Sequence, residues 1–432
     1  MKKVLVITYY WPPSGGAGVQ RWLKFVKYLR EFDWEPVIYT PENPESPAVD
    51  TTLEKDIPAG ITVIKKPISE PYTAYKKFVG RKKDDKIKAG FLNENKKPSV
   101  TEKIAVWVRG NFFIPDARKY WIKPSVRYLN SWLAENKVDA IVSTGPPHSM
   151  HLIAQAVSKQ HTIPWLADFR DPWTNIDFYK DLMLTKSSDL KHQRLEKAVL
   201  KDANRVVVVS KGMADDFKGI FNRNYNIITN GYDTEDVKTQ PGQADNKFTI
   251  AHVGSMVPAR NPITFWKAIY ELVNEDAELA SQLEIKLVGQ VDYSVREAIS
   301  RLNLDDYLTF VDYLSHDEVI TLQQSVSVLL LVINNTPNAK MVVTGKIFEY
   351  LKSGRPILCI GPADGDAAAI LSATNTGVTY DYDDLSGIKN SIRIYFLKYK
   401  AGELITKGVN IEKYSRRNLT GELVKVLNEM VN

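Results

Sequence analysis

Cysteine is almost missing from this chain of 432 residues: there is one, Cys359. That excludes an internal disulfide framework and a cysteine-rich zinc site, and it fits a reducing compartment. Long apolar runs are missing as well. The longest, SVSVLLLVI (Ser325–Ile333), falls far short of the ~20 residues of a membrane-spanning helix. The opening stretch MKKVLVITYYWPP has too short an apolar run for a secretion leader. Its Pro12–Pro13 pair, followed by glycines, offers no cleavage site, so it reads as a first buried strand. A cytoplasmic protein is expected, with any membrane contact peripheral. There is also no P-loop and no GxGxxG fingerprint.

What is present reads as a soluble enzyme of ordinary composition, 44% hydrophobic and 25% charged. The length exceeds one ordinary core, so two domains are expected. Net charge is +6, unevenly placed. Residues 1–240 carry 38 basic and 28 acidic side chains, residues 241–432 carry 19 and 23. The first part therefore suits an anionic surface, unless its lysines are simply solvated.

Strand-like runs alternate with helical spacing. Val4–Thr8, Pro36–Thr40, Asp139–Thr144, Pro164–Phe169, Arg205–Ser210 and Asn226–Gly231 are expected strands. A polar stretch, Tyr232–Lys247, interrupts the pattern. It then resumes with Phe248–Ser255, Glu284–Gln290, Leu308–Leu314, Ser327–Ile333 and Pro356–Gly361. Such alternation predicts parallel sheets covered by helices, an α/β architecture of two Rossmann-like, doubly wound domains. The domains expected are 1–240 and 241–410, with an amphipathic terminal helix in 411–432. Ligands favour the C-terminal edges of such sheets, so the loops after the strands are where chemistry is expected.

Five loops carry candidates. WPPSGGAGVQRW follows the first strand and opens a helix. Gly15 and Gly16 would let backbone amides approach a phosphate, or serve only as a flexible turn. In STGPPHSMH, His148 falls at a helix start, placed to donate a hydrogen bond or move a proton, or merely to cap and pack. ADFRDPW brings Asp168 and Arg170 to a strand end, as a mutual ion pair or as contacts for a substrate. In HVGSMVPARNP, Gly254 and Arg260 would hold a diphosphate. In TGKIFEY, Lys346 would neutralise phosphate oxygens. Glu349, three residues on and on the same side, would accept both hydroxyls of a ribose. The bland alternative is a surface Lys346–Glu349 pair. The aspartates of DGD (364–366) and DYDD (381–384) lack converging ligands, so they read as loop and capping residues, and no metal is expected.

Together the glycine loop, TGPPHS, ITNGYD, HVGS…RNP and above all GKIFEYLKSGRPIL resemble the family-4 glycosyltransferases of GT-B fold, especially those building bacterial surface polysaccharides such as capsule and lipopolysaccharide. The resemblance runs over nearly the whole chain. It implies retaining transfer from a nucleotide-diphosphate sugar, without metal or other cofactor. Glu349 would hold the donor ribose, and Lys346, Arg260 and the Gly254 backbone the diphosphate. Gly15 and Gly16 would add amides. His148 would sit beside the transferred sugar, acting in catalysis with Arg260 and Lys346. Asp168 and Arg170 would lie on the acceptor side, and the terminal helix would return to the first domain. The acceptor would be a glycan or polyprenyl-linked sugar at the inner face of the cytoplasmic membrane.

There are two departures: the glycine–arginine pair common after the first strand of the second domain is Gly254–Ser255 here, and the family places a second glutamate eight positions before the ribose-binding one, where this chain has Met341. Sugar recognition would then pass to neighbours such as Asn338 or to backbone amides. Two other readings share the fold: a nucleotide-sugar 2-epimerase, or a non-catalytic nucleotide-sugar-binding subunit. The lysine-dense Tyr75–Lys103 and the aromatic, basic Ile104–Pro124 suit an anionic lipid surface, or a solvated loop. Nucleic acid is not an expected partner, since no RNA-binding motif accompanies these lysines.

Overall fold

The computed structural model describes residues 1–46, 49–70, 100–234, 245–312 and 314–432. The expected lysine-rich lipid contact therefore lies, up to residue 99, outside the described residues. The chain forms two compact units: Met1–Thr229 with Arg416–Asn432, and Asn230–Ser415. The passage into unit 2 precedes the polar stretch because Tyr232 is already anchored there. Its N–H donates to the Tyr414 carbonyl (3.1 Å), and both rings join the unit 2 core.

Unit 1 holds a sheet of seven parallel strands: β1 (Lys2–Ile7), β2 (Trp34–Pro41), β3 (Thr62–Lys66), β4 (Ala140–Gly145), β5 (Trp165–Phe169), β6 (Arg205–Val208) and β7 (Asn226–Ile227). Their order is β3-β2-β1-β4-β5-β6-β7. β4 and β5 are buried along their whole length, the signature of a parallel strand covered on both faces. Helix Ala17–Leu29 packs Val19, Trp22, Leu23 and Val26 onto this sheet. Leu419, Leu423 and Leu427 of the terminal helix, Arg416–Val431, join the same core.

Unit 2 repeats the plan with β8 (Phe248–Val253), β9 (Leu283–Val288), β10 (Leu308–Val311), β11 (Val328–Val332), β12 (Ile357–Ile360) and β13 (Gly377–Tyr380). The order is β10-β9-β8-β11-β12-β13, again all parallel. One sheet face packs Phe248, Ile250 and Ile285 with Trp266 and Ile269 of the helix Ile263–Glu275. The other packs Ala251 and Leu329 with Ile347 and Phe348.

In each sheet the winding reverses once, between β1 and β4 and between β8 and β11. At such a point the two following loops diverge to opposite faces and leave a crevice at the strand ends. The glycine loop and TGPPHS flank the reversal in unit 1. In unit 2 it is flanked by HVGS…RNP and the segment running from β11 to Lys346.

Candidate functional site

In unit 2 the crevice is shaped by Gly254, which ends β8 with φ +119°, a left-handed conformation that favours glycine. A β-carbon there would lie 2.3 Å from both Cε and Nζ of Lys346, so the lysine's end lies directly across the glycine. Lys346 is the second residue of the helix Gly345–Lys352. The residue before that helix, Thr344, does not cap it, and its buried Oγ1 has no hydrogen-bond partner. The first turn thus lacks a side-chain cap, which leaves its amides and positive dipole end suited to an anion.

Lys346 is partly buried and makes no hydrogen bond or ion pair with any described residue. Burial, with Arg260 beside it, pulls its ammonium from 10.5 down to about 8, while Glu349 acts in the opposite direction. Arg260 is held in place: Nε donates to Asn334 Oδ1 (2.9 Å) and Nη1 to the Ser255 carbonyl (2.8 Å). Glu349 sits partly buried on the same helix as Lys346, with Gln323 Nε2 3.4 Å from its Oε2. The alternative reading, a Lys346–Glu349 surface ion pair, is not what forms. Tyr350 ties the helix to the end of β8 by accepting the Val253 N–H at 3.0 Å.

Sequence reasoning missed His252 here. It is buried at the end of β8, and its Nδ1–H donates to the Leu330 carbonyl (3.0 Å). Burial first, then the nearby Lys346 charge, lowers it to about 3, so it stays neutral. Met341 is buried in the turn Ala339–Met341. Asp384 caps a helix by accepting the Gly387 N–H (2.8 Å), and Asp364 pairs with Lys340 (2.5 Å). Among the described residues no group of three or more His, Cys, Asp and Glu could hold a metal ion.

In unit 1, Gly16 stands before the helix Ala17–Leu29 with φ +96°, and a β-carbon on it would meet nothing within 4 Å. The Gly15–Gly16 turn is therefore open to an incoming group on that side. His148 sits just before the helix Ser149–His161, buried, stacked on Trp173 at 4.5 Å and 2°. Its Nδ1 has no partner and lies against Gly145, where a β-carbon would come within 3.0 Å. Burial, then His151 and Arg170, hold its imidazole well below the usual histidine range.

Asp168 and Arg170 are engaged inside the unit, and not with each other. Asp168 is buried, bonded to Arg21 Nη2 (2.9 Å), Trp22 Nε1 (2.7 Å) and Thr144 Oγ1 (2.9 Å). Burial alone would raise its carboxyl, but Arg21 and these donors hold it below the usual range. Arg170 donates to the carbonyls of Gly18 (2.7 Å), Gly145 (3.4 Å) and Pro146. It fastens the glycine loop to the TGPPHS loop, and both side chains hold the loops at the strand ends in position. Trp173, His192 and Glu196 were not anticipated. Their link is spatial, and only the aromatic after ADFRDP hinted at it.

The sequence model of Glycosyltransferase Family 4 matches residues 91–236. No curated protein matches the chain. Among solved structures, a glycosyltransferase from Rickettsia africae is similar with TM-score 0.61 and 13% identity, covering 100% of this chain and 99% of that one. A variant of TarM from S. aureus, in complex with fondaparinux, alpha-GlcNAc-glycerol and UDP, gives 0.58 and 13%, covering 99% and 100%. A putative UDP-N-acetylglucosamine 2-epimerase from Listeria monocytogenes gives 0.54 and 10%, covering 99% and 96%. At such identities the likeness establishes architecture: the chain has the two-unit, Rossmann-like GT-B fold, and within residues 91–236 it carries the Glycosyltransferase Family 4 pattern.

Proposed function

We propose that this protein is a retaining glycosyltransferase that moves a sugar from a nucleotide-diphosphate sugar to a glycan or lipid-linked acceptor in surface-polysaccharide synthesis. The observation that carries the reading is Lys346: a partly buried ammonium without a partner, laid over Gly254 at an uncapped helix start. A lone cation held out of water is costly unless a ligand neutralises it. A diphosphate at the unit 2 crevice would do so, with Arg260 and the first-turn amides. Glu349 would take the ribose hydroxyls. The UDP named with TarM is in keeping with such a donor.

The mechanism follows from charge. As the nucleoside diphosphate leaves, negative charge grows on its phosphates. Lys346, Arg260 and the helix amides stabilise that charge more in the transition state than in the ground state. These cations supply the neutralisation that a metal would otherwise give. With no protein nucleophile assigned, the acceptor hydroxyl attacks from the face the diphosphate leaves, its proton passing to the departing diphosphate oxygen, and configuration is retained. His148 serves the sugar and acceptor side.

The test is incubation with a panel of nucleotide sugars, following free nucleoside diphosphate. Release that depends on added acceptor is expected. Conversion to a new nucleotide sugar would establish the epimerase reading instead, and binding without turnover a non-catalytic subunit. Peripheral membrane contact belongs to the same proposal. Ile104, Trp107, Phe112 and Tyr120 are all exposed in the aromatic, basic region, and cosedimentation with anionic vesicles is expected.

A further inference from the structure

Unit 1 holds a half-open cavity of about 360 Å³, a size suited to a small molecule. It lies beside the TGPPHS loop, with Pro146, Pro147 and His148 in its wall. Three of its aromatic side chains, Phe113, Phe178 and Tyr179, are partly open, and Phe178 is 41% exposed. Tyr179 is fixed by its hydroxyl, which donates to Asp189 at 2.8 Å. Trp173 belongs to the floor, because His148 already covers one of its faces.

The floor is a built polar site. Glu196 accepts the N–H groups of Trp173 (3.1 Å) and Thr174 (3.3 Å). Trp173 Nε1–H donates to His192 Nδ1 (3.0 Å). The neutral His192 ring must then carry its hydrogen on Nε2. That nitrogen makes no well-aligned hydrogen bond, though the Gly110 carbonyl lies beside it, and the ring is only 3% exposed and lines the cavity. A buried donor with only a poorly aligned acceptor gains from a better placed one. Asp171, at the same wall, is exposed, and its carboxylate has no hydrogen-bond or ion-pair partner among the described residues.

Charge decides the ligand class. The wall carries Arg109 and Arg118 against Glu45, Asp116 and Asp171, and Arg118 is further paired with Glu70 at 2.9 Å. A diphosphate would meet surplus carboxylate there. A neutral polyol would not, and its hydroxyls match both a donor such as His192 and an acceptor such as Asp171. Open aromatic faces suit the apolar C–H face of a sugar ring.

We infer that this cavity is a subsite for a neutral pyranose ring of the acceptor, with the ring against Phe178 and hydroxyls on His192 Nε2–H and Asp171. This rests on the transferase reading for the word acceptor, but binding itself needs no donor. The lipid diphosphate of a lipid-linked acceptor stays outside the cavity.

The experiment is saturation-transfer NMR on the full chain without donor. The probes are the methyl glycosides of glucose, galactose, mannose, rhamnose and N-acetylglucosamine, with farnesyl diphosphate as the lipid-diphosphate probe. Saturation of ring C–H protons of at least one glycoside is expected. Phe178→Ala and Asp171→Asn, both at exposed positions, should each weaken it about fivefold, the scale of a lost aromatic contact. UDP affinity should be unchanged in both. Absence of glycoside binding, glycoside binding indifferent to both substitutions, or farnesyl diphosphate binding that Phe178→Ala removes would each overturn the inference. UDP titration of the same protein separates the two readings. Glycoside without UDP binding would remove the donor proposal and leave the cavity assigned, and UDP without glycoside binding would do the reverse.

Discussion

Lys346 permits a test in which pH acts as the perturbation. In the free protein its ammonium titrates at about 8. A bound diphosphate needs it charged. Between pH 7 and pH 9 the charged fraction falls about tenfold, so nucleoside-diphosphate affinity should fall about tenfold through this group alone, or about 1.4 kcal/mol. Binding at pH 9 should take up close to one proton, and at pH 7 almost none. Isothermal titration with UDP, GDP and ADP, in two buffers of different ionisation enthalpy, reads both quantities. Lys346→Met is the reference, since it cancels titration of the ligand itself. Stability should move the other way. The folded value lies below the ordinary 10.5, so the unfolded chain binds more protons and stability rises with pH from about 8 to 10.5. Below pH 8 the ligand-free protein carries the whole cost, on the order of 3 kcal/mol. Lys346→Met should therefore raise the unfolding temperature at pH 7 while weakening nucleotide binding to a level still measurable by titration. An affinity ratio of wild type to variant that stays flat from pH 7 to 9, with no proton uptake, would refute the reasoning.

Three other outcomes are expected. Glu349→Ala should weaken nucleoside diphosphates by about 10- to 100-fold, the worth of a hydrogen bond to a charged group, while inorganic diphosphate binds as before; calorimetry distinguishes the two. His148→Ala should lower kcat by about 100-fold with nucleotide affinity nearly unchanged, read from steady-state kinetics beside titration. Asp168→Asn leaves Arg21 buried without its countercharge and should destabilise unit 1 by about 3–5 kcal/mol in denaturant unfolding. In the wild type, the Arg21–Asp168 contribution is present above the ordinary carboxylate value near 3.8 and is lost as pH falls below it.

Much of the architecture was legible because parallel strands buried on both faces are continuous apolar runs. DAIVST, PWLADF and FTIAHVGS could scarcely be anything else. The edges were harder to read. β3, TVIKK, and β13, GVTY, are half-exposed and short, so their residues carry no sustained apolar signal. NIITNG yields only the two-residue β7, since Ile228 turns into the unit 1 core beyond it. At the candidate site, Lys346 and Glu349 could be paired from helical spacing. The Arg21–Asp168 pair spans 147 positions and follows no local rule. Nor does spacing show that Arg170 would serve three carbonyls, or that Trp173 would lie beneath His148. Such contacts are set by which loops meet at the reversal of strand order, and that is a property of the folded sheet.

The route of the chain has a consequence for biosynthesis. Unit 1 is interrupted: it is left at Thr229 and resumed at Arg416, with all of unit 2 between. Leu419, Leu423 and Leu427, made after all of unit 2, fill a core begun with Val4 and Val6. A nascent chain emerging from the ribosome thus carries an unsealed apolar surface until unit 2 and the helix after it have been made. Unit 2, being continuous, is free to mature earlier. A stop codon shortly before residue 416 would accordingly spare the later half and leave the earlier one prone to aggregation.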